Sequence, residues 1–140
     1  MGNVVIQNPP QYTEQIPKWD RETLADGEAM GQVIEQLANN DAYLKKELER
    51  QEHVELITLT AAGWQGSGPY TQAVEASGVQ DTDEPMAKEV IPKGTTKEDE
   101  KAIRKAAGCV SYFETGNGTV TFTCIGKKPE TDFQVVIKGV

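Results

Sequence analysis

Residues 20–51 read DRETLADGEAMGQVIEQLANNDAYLKKELERQ. The stretch holds no proline, its glycines Gly27 and Gly31 fall in the first third, and most of its residues are good helix formers. Apolar side chains recur at Met30, Ile34, Leu37, Leu44 and Leu48, with Asp41 and Gln51 on the same stripe. The steps alternate four and three, the heptad seam of a coiled coil. Glu35, Lys45, Lys46, Glu49 and Arg50 fall on the opposite face. A helix roughly 45 Å long with so narrow a seam cannot shield itself. Either it folds back on its own head domain as an amphipathic lid, or several copies pack together as a stalk. We favour a parallel bundle, with Asp41, flanked by Asn39 and Asn40, interrupting the stripe. Polar residues at seam positions fix register and strand number at some cost in stability. The mixture of Met, Ile and Leu leaves the number of strands open.

Upstream, residues 1–19 hold the apolar triplet Val4-Val5-Ile6, then Asn8-Pro9-Pro10 and Ile16-Pro17-Lys18-Trp19. Two proline breaks in so short a stretch forbid a continuous helix or a central strand. The segment reads as an extended arm, either a disordered terminus or an attachment peptide that orders on docking.

Downstream of His53 the period changes from helical to alternating. Residues 54–60 read as a strand, followed by the glycine-rich loop at 63–69, a second strand at 70–76 and a third at 86–91 after the acidic turn Asp81-Thr82-Asp83-Glu84-Pro85. A short helix follows Thr96, with Thr96 and Asp99 at capping-box spacing and Gly108 as an expected left-handed cap. Residues 109–115 and 119–125 flank Gly116-Asn117-Gly118 as a β-hairpin, and 132–138 close the head with Phe133, Val135 and Ile137 on one face. The expected fold is therefore α+β: an arm at 1–19, a stalk helix at 20–52 and a β-sandwich-like head with one short helix at 53–140.

The 140 residues carry 14 Lys plus Arg against 22 Asp plus Glu, a formal net charge of -8. So acidic a chain lacks the cationic surface that gives nucleic-acid binders most of their affinity, so no nucleic-acid partner is expected. No apolar run approaches the roughly 20 residues of a membrane span, and the start shows no signal-peptide pattern. With a single histidine and two cysteines fifteen positions apart, Cys/His metal centres and His-based triads are nearly excluded. No Walker loop, zincin helix or nucleophile elbow is present. No enzyme activity, cofactor or metal is expected. With hydrophobic residues at 37% and aromatics at 6%, a monomer this small buries little, and oligomerisation would repair that.

The head resembles a small head domain of tail-fibre and baseplate-appendage proteins from phages, or prophages, of Gram-positive bacteria. The likeness rests on Trp64, Pro69-Tyr70, Val74 and Gly78-Val79 before the acidic turn. It continues in Gly118-Thr119-Val120-Thr121-Phe122, Lys128-Pro129 and Val135-Val136-Ile137-Lys138. The helix, through Asn39-Asn40-Asp41 and Leu44-Lys45-Lys46, is similar to the stalk helix of such proteins. The resemblance spans roughly residues 25–140. It implies a trimeric virion component made in the bacterial cytoplasm. Its arm, residues 1–19, would dock to other tail or baseplate proteins, its helices would join along Met30, Ile34, Leu37, Asp41, Leu44 and Leu48, and its heads would face outward.

Other residues admit chemistry that is weighed against plainer readings. Trp64 and Tyr70 bracket the glycine-rich loop, a sugar-stacking pair for a host-surface glycan or, as the alternative function, for a stand-alone carbohydrate- or cell-wall-binding module; the plainer reading puts Trp64 in the core. Asp81, Asp83 and Glu84 offer oxygen ligands of the kind calcium takes but lack the full spacing of a calcium loop, and are read as solvated turn residues. His53 stands where the helix ends, where its cation would suit the carbonyl end. A two-residue Asn117-Gly118 loop puts Phe113 opposite Phe122 and both cysteines on one face; a three-residue loop pairs Tyr112 with Phe122 and separates them. In either register Cys109 and Cys124 are read as buried, reduced thiols.

Overall fold

The computed structural model describes residues 2–18 and 27–139. The chain divides into two compact units, residues 1–50 and 51–140.

The first unit is built on α1, Gly27–Glu52. Its 26 residues give a rod of about 39 Å. Residues 20–26 of the expected stalk, and Trp19 of the expected arm, lie outside the described residues. Glu28 in the first turn and Arg50 in the last complement the helix dipole. Residues 2–18 form no helix or strand, as their prolines require.

The second unit holds two three-stranded antiparallel sheets. One has the order β1-β6-β3, from Val54–Leu59, Phe133–Lys138 and Met86–Val90. The other is β2-β5-β4, from Tyr70–Glu75, Thr119–Cys124 and Tyr112–Gly116. Side chains of both sheets share one core: Ile57, Leu59, Phe133, Val135 and Ile137 from the first meet Val120, Phe122 and Cys124 from the second. The period-2 face expected at 132–138 is realised, since Phe133, Val135 and Ile137 are all buried.

The short helix α2, Lys97–Ala107, starts as its capping signal requires. The Thr96 hydroxyl accepts the Asp99 N–H at 3.1 Å and donates to the Asp99 carboxylate at 2.7 Å. Its C-terminus differs from expectation, because Gly108 is right-handed, at φ -66 and ψ -12. The chain keeps winding there: Cys109 donates its N–H to Ala106 and Val110 to Ala107, the tightened bonds that satisfy orphan carbonyls at a helix end. Those bonds use the amides of residues 109 and 110, so β4 begins only at Tyr112 and not at Cys109.

The hairpin register is the two-residue one. Gly116 pairs with Thr119 and Phe113 with Phe122, whose rings stand 5.6 Å apart. Of the turn residues Gly116, Asn117 and Gly118, the last takes positive φ, +76°, which a residue with a Cβ adopts only at a cost.

Candidate functional site

The residues singled out at the seam lie together on one face of α1, and that face is bare. Met30, Ile34, Leu37, Leu44 and Leu48 keep between 42% and 56% of their surface exposed. Asp41 sits exposed on the same stripe. A surface helix normally turns its apolar stripe inward, so an uncovered stripe five residues long is the chain's most unusual feature. The charged pairs elsewhere on α1 do little to hold the rod. Lys45 and Glu49 approach to 3.9 Å and Arg50 and Glu47 to 3.7 Å, pairs whose worth at a surface is about 0.2–1 kcal/mol.

The far side of α1 is polar and occupied. Asn39, buried, uses its whole amide: Oδ1 accepts the Gln7 N–H at 2.7 Å, and Nδ2 donates to the Val5 carbonyl at 3.2 Å and to the Glu35 carbonyl at 2.9 Å. Asn40 does the same with one residue, accepting the Thr13 N–H at 2.7 Å and donating to the Thr13 carbonyl at 2.8 Å. A carboxamide presents the same donor and acceptor as a peptide group. The two asparagines thus serve the N-terminal segment as a neighbouring strand would. Tyr12 rests against Tyr43, ring centroids 5.7 Å apart. At 100° per residue, the face of Gln32, Gln36, Asn39 and Tyr43 lies roughly 150° from the seam, whereas Asn40 lies about 80° from it. The segment therefore lies opposite the seam at Asn39 and reaches its flank at Asn40, leaving the apolar side chains of the stripe uncovered.

Sequence reading grouped Asn39 and Asn40 with Asp41 as an interruption of the stripe. The structure separates them. Asp41 belongs to the seam, whereas the asparagines grip main chain more than 25 residues upstream. Nothing in the local pattern announces this role, because the partner is a backbone and has no side-chain signature. Val4, Val5, Ile6 and Tyr12 keep their side chains exposed although the backbone is held.

In the head, Trp64 is 5% exposed and belongs to the core. Tyr70 is half-buried and packs against the same cluster. Their rings are spent on packing and do not form an open stacking platform. His53 is exposed, its Nε2 3.2 Å from Glu55 Oε2. In the acidic turn, the Asp83 carboxylate accepts the Gln80 N–H at 2.8 Å and so holds its own loop. Asp81, Asp83, Glu84 and Glu114 rim a cleft of about 460 Å³ floored by Pro85 and Phe113. Among the described residues no group of three or more His, Cys, Asp or Glu side chains is placed to hold a metal ion. A second, apolar cleft of about 270 Å³ opens between β3 and β4 over Phe113, Phe122 and Phe133.

Cys109 and Cys124 are both free. Cys124 is fully buried, and desolvation, with a smaller contribution from neighbouring Cys109, pushes its thiol up to about 11. A thiol held neutral is a poor nucleophile. No described helix is long and apolar enough to cross a membrane. Set beside known proteins, the chain matches no family model, no curated protein and no solved structure.

Proposed function

We propose that this chain is a structural, non-enzymatic component of a phage tail fibre or baseplate appendage, assembled as a parallel trimer through α1. The observation that carries the reading is the bare seam of Met30, Ile34, Leu37, Leu44 and Leu48, which the N-terminal segment leaves uncovered. Burying such a stripe against two copies removes apolar surface from water at about 25 cal/mol per Å², and a seam spaced four and three is what knobs-into-holes packing requires. Three strands and the virion setting come from the resemblance of the stalk and head motifs to those of tail appendages. Residues 1–19 act as the attachment arm toward other tail or baseplate proteins. The backbone at Val5, Gln7 and Thr13 is held on α1, and the exposed Val4, Val5 and Ile6 side chains are free to dock. The heads contribute virion structure or host-surface attachment. The carbohydrate-module alternative rested on Trp64 and Tyr70, which pack into the head's core.

Light scattering on the full chain tests the reading directly. Three times the 15.3 kDa chain mass is expected; a monomer at micromolar concentration overturns it.

A further inference from the structure

The β1-β6-β3 sheet carries large apolar side chains on both of its faces. Toward the core it turns Ile57, Leu59, Val135 and Ile137. The pairing register places the outward rows as Val54, Lys138 and Met86, then Leu56, Val136 and Lys88, then the more polar Thr58, Gln134 and Val90. Outward positions of an antiparallel sheet at a surface are ordinarily polar, and strands apolar on both sides belong to sheets covered on both sides. Here Val54 is 51%, Leu56 56% and Met86 74% exposed. The helix α2 does not cover them, because it packs with Ile103, Ala106 and Ala107 toward the core and pairs Arg104 with Glu89 on the inward row. The only charges on the outward rows are the cations Lys88 and Lys138, in a chain that is otherwise strongly acidic.

We propose that the cover is a second copy: the outer face of β1-β6-β3 docks on the acidic cleft of the next head, Lys88 and Lys138 meeting Asp81, Asp83, Glu84 and Glu114, and Met86 meeting Pro85 and Phe113. The inference rests on the trimer reading above. Charge complementarity selects this occupant, since the one cationic apolar face and the carboxylate-rimmed cleft belong to the same chain. Two different complementary surfaces on one subunit make a heterologous contact, which closes into a ring under three-fold symmetry and satisfies each surface once. A stalk that gathers three heads raises their effective concentration toward millimolar, so a modest contact suffices.

The test mixes ¹⁴N- and ¹⁵N-labelled full-length chains, treats the assembly with a carbodiimide, and reads Lys-to-carboxylate peptides by mass spectrometry. Isotopically mixed links from Lys88 or Lys138 to Asp81, Asp83, Glu84 or Glu114 are expected. In the variant Met86→Glu, which keeps every reacting amine and carboxylate but sets a charge against Pro85 and Phe113, their yield falls by about tenfold, with the scattering mass unchanged because the stalk still joins the chains. A trimer without mixed links at these residues, or one whose Lys88 and Lys138 acetylate as fast as Lys127 and Lys128, overturns the inference and leaves the trimer standing. A monomeric chain overturns both.

Discussion

Cys124 shows how much a single buried atom constrains the head. Its side chain is fully enclosed beside Val120 and Phe122 on β5, and burial holds the thiol protonated up to about pH 11 against an ordinary value of 9.0. A group whose folded-state value is raised stabilises the fold fully below the unfolded value and loses that contribution as pH climbs through the folded one. The head should therefore lose up to about 2–3 kcal/mol between pH 9 and 11 on account of this residue. Denaturant titrations across that window check it: Cys124→Ala should show the shallower decline, and equal slopes would refute the assignment. Alkylation at pH 8 adds a second readout, with Cys109 modified first and Cys124 only after unfolding; no newly reactive thiol on unfolding would contradict the burial. At the seam, Asp41 is the residue that works against stability. Replacing it with Leu joins Leu37 to Leu44 in one apolar run, and a polar seam residue costs stability in exchange for register. Asp41→Leu is expected to raise the dissociation temperature of the trimer and to broaden its mass distribution. A lower dissociation temperature would show that Asp41 makes a favourable contact in the assembly.

The element with the most to explain is α1, which holds the N-terminal segment through its asparagines and leaves its apolar seam uncovered. The clamp on its polar side consists of single side chains and can be removed piecewise. Asn39→Ala deletes the bonds to Gln7 and Val5, and Asn40→Ala deletes both bonds to Thr13. Each hydrogen bond contributes about 0.5–1.5 kcal/mol net, so amide exchange at Gln7 in the first variant, and at Thr13 in the second, should quicken by about tenfold or more. Exchange unchanged at both amides would mean that other contacts hold the segment. The helix itself was readable in the sequence because periodicity records which face is apolar. So was the hairpin, since Asn117-Gly118 between alternating runs fixes a turn, though the choice between its two registers waited for Phe113 to be seen opposite Phe122. The clamp was not readable, because an asparagine that binds backbone leaves no periodic trace. Nor was the right-handed Gly108, where the preference of glycine for a left-handed cap gave way to further winding through Cys109 and Val110. The absence of strand at Cys109 and Val110 follows from that local competition for amides.

At the scale of the whole chain, two units with separate contacts make separable predictions. The head has its own core of Leu59, Trp64, Val120, Phe122 and Ile137, and it does not draw on the seam for burial. Phe122→Ala empties the centre of that core and should cost about 3–5 kcal/mol, read as a loss of the head's cooperative unfolding. Substituting the seam attacks assembly alone. In the double variant Leu37→Glu, Leu44→Glu, carboxylates flank Asp41 at consecutive layers, and three copies would have to desolvate like charges against one another, which apolar seams do not tolerate. The scattering mass should fall from three chains to one. Head folding should survive, with Cys124 still protected from alkylation at pH 8 and the near-ultraviolet signal of buried Trp64 retained. If the variant stays trimeric, α1 is not the trimer seam and the stalk reading fails. If instead Cys124 becomes reactive as the chains separate, the head depends on assembly for its fold, and the two units are one cooperative structure.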